Sequence, residues 1–174
     1  EDSASAIASQ LAGDNTLLDG AEDLEVDGGD TTVAGAANIQ SSASYDASSS
    51  TYTVSDTAGA ILDATGAVID EGVTEINVNG NVGAGVGVQL ANLEDASLSL
   101  ETGYSADVNF NVVDDANAIA QALVSAGTGT ALDNAEDVEV DGGDVSMASA
   151  ADIQAIANYD SAASSYTISD TAGA

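Results

Sequence analysis

Hydrophobic and polar residues alternate in short bursts along this chain, and each burst is followed by an alanine-rich stretch with a different period. The two-residue alternations are Leu24-Glu-Val26, Tyr52-Thr-Val54, Ile76-Asn-Val78, Phe110-Asn-Val112, Val138-Glu-Val140 and Tyr166-Thr-Ile168. A period of two, with β-branched and aromatic residues at the apolar positions, predicts strands with one buried face. The stretches Ala4–Ala12, Val33–Ala43, Ala116–Ala126 and Ala148–Ala157 instead space their apolar residues three or four apart and are built from good helix formers. Between the two kinds of segment lie Gly and Asp turns. Asp56, Asp114 and Asp170, and in the other half-repeat Asp30 and Asp144, are placed as helix N-caps.

The alternation is itself repeated. The segment Asp19–Ala60, with AEDLEVDGGD, AANIQ and YTVSDTAGA, recurs at Asp133–Ala174 as AEDVEVDGGD, AADIQ and YTISDTAGA, with about two thirds of positions identical at a constant offset of 114 residues. A D-x-A-x-A phrase begins at Asp2, Asp56, Asp114 and Asp170, 54, 58 and 56 residues apart. The large repeat is therefore about 56 residues, and the reading divides the chain into copies at 1–55, 56–113 and 114–169, with 170–174 opening a further one. Val26 to Val54, Val112 to Val140 and Val140 to Ile168 are each 28 residues apart, so the elementary unit is one strand and one helix. The middle copy is irregular. Its Asn79–Val88 stretch, NGNVGAGVGV, reads as a hairpin or insertion that replaces the helix, and Ala96–Leu100 as an additional strand.

Strand–helix units in series imply parallel strands joined by right-handed crossovers. The expected fold is α/β, a solenoid-like stack of ~28-residue units with strands ~4.8 Å apart. The alternative is a closed or doubly wound α/β domain.

Composition restricts the function. The chain has 30 Asp and Glu and no Lys, Arg or His, for a net charge of −30. No side-chain salt bridge can form, and the carboxylates repel across the ~8 Å screening length of physiological salt. Bound cations, high ionic strength or protonation must offset that repulsion. Nucleic acid and anionic membrane surfaces are excluded as partners, because both require a basic patch. Cysteine is absent, which removes disulfides and thiolate metal sites and favours a bacterial or archaeal exported protein over a small eukaryotic secreted domain. No apolar run approaches the ~18 residues that span a bilayer. With Glu1 in first place, without Met or a signal peptide, the expectation is a processed product or a fragment.

Candidate chemistry centres on the VDGGD motifs. Asp27, Asp30, Asp141 and Asp144 surround Gly-Gly turns, and Asp56 and Asp170 fall at the same edge of the expected sheet, so these six are the candidate Ca2+ ligands. The competing interpretation is a tight turn leading into a helix, and neither EF-hand spacing nor a GGxGxDxUx repeat is present. No catalytic or organic-cofactor residue emerges. Serine nucleophiles have no His or Lys to activate them, carboxylate pairs occur as repeated copies on turns, and the glycines of Asn79–Val88 lack the G-x-G-x-x-G spacing. Tyr45 and Tyr52 recur as Tyr159 and Tyr166, so they belong to the repeat, either as buried caps of the helical layer or as exposed rings that stack between chains.

The phrase YTVSDTAGAI at Tyr52–Ile61, with its partner at Tyr166–Ala174, resembles the Ala/Asp-rich repeats of large secreted bacterial surface proteins of the hemolysin-type calcium-binding or adhesin-like kind. That resemblance implies export, a long repeat array and an extracellular or cell-surface location. It does not carry calcium binding with it, because the nonapeptide loops are missing. The functional expectation is a non-catalytic structural segment of a filament, sheath or matrix protein, whose sheet edges pair head to tail with other copies. The alternative is a calcium-dependent adhesin or surface-layer module that binds an outside ligand.

Overall fold

A computed structural model of the chain describes residues 1–13, 18, 21–64, 72–96 and 106–170. Strands and helices alternate along them: α1 (Ala4–Ala12), β1 (Asp27–Thr31), α2 (Val33–Gln40), β2 (Thr51–Asp56), α3 (Ala58–Asp63), β3 (Val73–Val82), α4 (Ala84–Ala96), β4 (Asp107–Asp114), α5 (Ala116–Ala126), β5 (Asp137–Val145), α6 (Met147–Gln154) and β6 (Ser165–Ile168), with a 3-10 turn at Ala47–Ser49. The fold is α/β with a six-stranded all-parallel sheet whose strands follow chain order, β1 to β6. The sheet is open, with β1 and β6 at its ends, which overturns the closed alternative. Strand order never reverses, so the sheet also lacks the switch point of a doubly wound domain.

Two compact units make up the chain, Glu1–Asn79 with Leu93–Val108 and Gly80–Asn92 with Asn109–Ala174. In the first, β1 pairs with β2 and β2 with β3, in a register that sets Thr31 opposite Val54 and Val54 opposite Ile76. Helix α1 packs on α2 and β1, and α2 packs on both β1 and β2. The core holds Ile7, Val26, Ile39, Tyr52, Val54, Ile61, Val73 and Ile76, each at most 3% exposed. Burial of each large aliphatic side chain contributes about 1.5–3 kcal/mol, so a thin core of Val and Ile can offset the ordering of short elements. In the second unit β4 pairs with β5 and β5 with β6, and α5 packs on β5 and α6. Phe110, Val112, Ile119, Leu132, Val138, Val140 and Ile153 are buried there. Along β4, Val108, Phe110 and Val112 are buried while Asn109, Asn111 and Val113 are half-buried. That alternation gives the strand one packed apolar face and one polar face.

The helices at Ala4–Ala12 and Ala116–Ala126 have the expected limits, while α2 and α6 stop at Gln40 and Gln154, short of the expected ends. Asn79–Val88 departs from the expectation. It is neither a hairpin nor an insertion, because residues through Val82 belong to β3 and those from Ala84 to α4. Glycine there serves close packing. A Cβ on Gly87 would lie 2.7 Å from Val112 Cγ2 and 3.1 Å from Leu132 Cδ2, so only Gly allows the helix backbone to approach β4 this closely. Tertiary packing overrides a poor helix propensity. Ala96 ends α4, and the rest of the additional strand placed at Ala96–Leu100 lies outside the described residues.

The first strand is also displaced from its sequence signal. Leu24 and Val26 form isolated bridges to Tyr45 and Asp2, and the ladder proper begins at Asp27. Within it Gly28 and Gly29 take φ of 73° and 82°, as Gly142 and Gly143 take 84° and 87° in β5. Left-handed backbone of this kind is open to glycine and strained for other residues. The register shifts between Asp27 and Asp30, and again between Asp141 and Asp144. The DGGD motif is therefore a bulge inside a strand.

Candidate functional site

The most regular polar feature is a set of aspartates at strand ends, each joined to the first turn of the preceding helix. Asp56 closes β2, and its Oδ2 accepts from the Val33 amide at 3.1 Å while its Oδ1 accepts from the Thr57 amide at 2.8 Å. Asp114 closes β4 and repeats this arrangement, with Oδ2 accepting from the Ala84 amide at 3.0 Å and Oδ1 from the Asp115 amide at 2.9 Å. Asp170 Oδ2 accepts from the Met147 amide at 3.3 Å; Asp2, which lies before α1 and outside this set, accepts from the Ser3 amide through Oδ1 at 2.7 Å. The first amides of a helix have no partner within it and carry the positive end of its dipole. A carboxylate from the following strand supplies both an acceptor and a complementary charge, and in doing so ties one strand–helix unit to the next.

This arrangement corrects the expected caps. The N-caps of α2, α3, α5 and α6 are Thr32, Thr57, Asp115 and Ser146, whose side chains accept from Gly35, Ala60, Asn117 with Ala118, and Ser149 respectively. Asp56 and Asp114 precede the cap by one residue, and Asp30 and Asp144 precede it by two. Two cap-type residues in succession, as in Asp56-Thr57-Ala58 and Asp114-Asp115-Ala116, were the signal in the sequence. The second caps its own helix and the first reaches back to the helix before.

The six candidate calcium ligands fall into two kinds. Asp56 and Asp170 hold helix amides. Asp27, Asp30, Asp141 and Asp144 are exposed and flank the two bulges. Among the described residues, no three His, Cys, Asp or Glu side chains converge as a metal-binding group. The bulges have a packing role: a Cβ on Gly29 would lie 3.2 Å from Ser3 Cβ, and one on Gly143 would lie 3.2 Å from the Ala116 amide nitrogen. Each DGGD motif thus passes close to the start of the helix before it.

Repeated side-chain bonds complete the picture. Gln40 Nε2 donates to Tyr52 Oη at 3.0 Å, and Gln154 Nε2 donates to Tyr166 Oη at 2.9 Å. Ser50 Oγ accepts from the Val26 amide at 3.0 Å and itself donates to the Asp46 carbonyl at 2.7 Å. Ser164 Oγ accepts from the Val140 amide at 2.8 Å. The sequence showed Tyr52 and Tyr166 as a pair, but not that Gln40 and Gln154 would hold them. Asp46 accepts from the hydroxyls of Ser48 and Ser49, which hold its carboxyl below the usual carboxylate range. Burial pushes the Tyr159 hydroxyl up, and its hydrogen bond with Tyr166 adds to the shift. The Gln–Tyr bonds and the serine bonds to the Val26 and Val140 amides each recur in both copies of the long repeat. No family model, curated protein or solved structure matches this chain.

Proposed function

We propose that this chain is a non-catalytic structural repeat segment of an extracellular bacterial filament, sheath or matrix protein, built as a solenoid-like series of ~28-residue strand–helix units and associating head to tail with other copies of itself. The observation that carries the reading is the threefold recurrence of one bond, from Val33, Ala84 and Met147 amides to Asp56, Asp114 and Asp170. A bond that recurs at every second joint, α2–β2, α4–β4 and α6–β6, has the character of a construction element, whereas a catalytic group acts at one place. Strands in chain order fit a series of like units, since each strand then pairs with the one from the next unit. Sedimentation velocity over a hundredfold range of chain concentration in high salt tests the assembly. Growth in mass with concentration supports the reading, and a single monomeric species throughout refutes it.

The second reading, a calcium-dependent adhesin or surface-layer module, rests on the exposed pairs Asp27 with Asp30 and Asp141 with Asp144. On that reading calcium acts at the DGGD bulges, and the net charge of −30 makes the folded state depend on it.

A further inference from the structure

Close packing accounts for Gly87 but not for Gly80, where an added Cβ would meet nothing within 4 Å. Gly80 has φ of 80°, is exposed, and follows the exposed Asn79. The pair stands where two other strands carry Asp-Gly. Val78-Asn-Gly matches Val26-Asp-Gly and Val140-Asp-Gly, and Gly28 and Gly142 take φ of 73° and 84°. Each of these segments leads into a helix, α4, α2 or α6. Asn79 thus puts a neutral amide where the two counterparts hold the exposed carboxylates Asp27 and Asp141. It is also the one asparagine of the chain that precedes a glycine. The others precede residues with side chains, mostly Val, Ile, Leu, Phe or Tyr.

We propose that Asn79-Gly80 is a site of self-modification, at which the asparagine deamidates through a succinimide and the neutral motif of β3 becomes acidic like its two counterparts. The Gly80 amide nitrogen gives up its proton to base and attacks Asn79 Cγ. The new C–N bond closes the succinimide ring, and Nδ2 leaves with a proton as ammonia. Water then opens the ring. Attack at Cγ gives aspartate, and attack at the backbone carbonyl gives isoaspartate, in which the chain runs through Cγ. The sum is one water taken up and one ammonia released, with no change of oxidation state. Glycine favours the step twice over. It has no Cβ to shield the attacking nitrogen, and its wide conformational freedom lets the peptide turn toward the side chain. Asp56 opposite Val78 ends the register with β2, so Asn79 lies beyond the last pair of that ladder. The aspartate product carries its charge outward, as Asp27 and Asp141 already do. Asp27-Gly28 and Asp141-Gly142 can close the same ring, but an ionised carboxylate is the poorer electrophile, so they react more slowly.

The test holds the folded chain in high salt at mildly alkaline pH, beside a synthetic peptide of residues 74–86, and follows acid-quenched samples of both by mass spectrometry. Cleavage after Glu75 and Glu94 releases residues 76–94, whose fragment masses place any change among Asn77, Asn79, Asn81 and Asn92. The mass gain of an amide exchanged for an acid is expected at Asn79 before any other asparagine of the chain. Ammonia is released with it, and an isoaspartate methyltransferase labels the isoaspartate fraction. Asn79→Gln, whose longer side chain closes a ring far more slowly, loses the early conversion. Its circular dichroism matches the parent, because Asn79 is exposed. First reaction at another asparagine overturns the proposal. An Asn79 that stays intact in the chain after the peptide has fully converted also overturns it, and shows that β3 holds this peptide bond too firmly to turn.

Discussion

The Val33 amide, in the first turn of α2, donates to Asp56 Oδ2 at the end of β2 across 3.1 Å. One carboxylate closes its own strand, through its bond from the Thr57 amide, and at the same time secures the helix of the previous unit. Asp56→Ala removes both bonds and is expected to destabilise the chain by about 1–2 kcal/mol in urea unfolding. Asp56→Asn keeps one acceptor oxygen and recovers part of the loss. Equal stability of the Ala and Asn variants with the parent shows that the bond is incidental.

Two glycines of α4 make opposite predictions. Gly87→Ala drives a Cβ to within 2.7 Å of Val112 Cγ2, and costs about 1–3 kcal/mol through overpacking. Gly85→Ala meets nothing within 4 Å and gains up to about 1 kcal/mol through helix propensity. Thermal melts of the two variants check both signs.

The paired tyrosines separate the effect of burial from that of the bond. Gln40 to Tyr52 and Gln154 to Tyr166 have nearly the same length, but Tyr52 is buried and Tyr166 is half-buried. Tyr52→Phe removes the buried hydroxyl that accepts from the Gln40 amide and costs about 1 kcal/mol. Tyr166→Phe, where water can replace the lost oxygen, is expected to cost less than half as much. Similar losses in the two variants contradict the difference in burial.

Acid and alkali act on different groups. The Asp46 carboxyl is lowered by the Ser48 and Ser49 hydroxyls, so its contribution is present above the ordinary carboxylate pKa of about 3.9 and is lost as pH falls through the lower folded value. The stability difference between the parent and Asp46→Ala therefore shrinks below about pH 4. Tyr159 is raised by burial, so its contribution is present below about pH 10 and is lost as pH rises through the higher folded value. Above about pH 10 the parent loses stability relative to Tyr159→Phe. Unfolding curves across both ranges test the two signs.

Much of the fold was legible because its signals are local and repeated. The limits of α1 and α5 follow from alanine-rich segments whose apolar residues keep helical spacing, and β2 and β6 from alternation within the YTVSD and YTISD phrases. The start of α4 was not legible. Its glycines read as a turn, and only the position of Val112 against Gly87 explains why a helix runs there. The aspartates were recognised as belonging to helix starts, but assigned to the wrong helix. Asp56 bonds Val33, 23 residues earlier in the chain, and no local pattern reveals such a joint. The Gly-Gly pairs of DGGD read as tight turns because the sequence cannot show that the strand continues through them as a bulge. The role of the exposed carboxylates depends on long-range charge and on ions, which residue spacing does not encode.

The central claim is that packing between like units, with repulsion screened by salt, makes a self-associating structural segment. It is tested most directly by following circular dichroism and light scattering of the chain while calcium is added, against matched sodium chloride and a chelator control. The expected result is a folded chain in chelator with sodium chloride, and particles that grow with concentration whether or not calcium is present. A chain that folds only when millimolar calcium is added, and stays monomeric once folded, contradicts it and assigns the DGGD aspartates to ion binding.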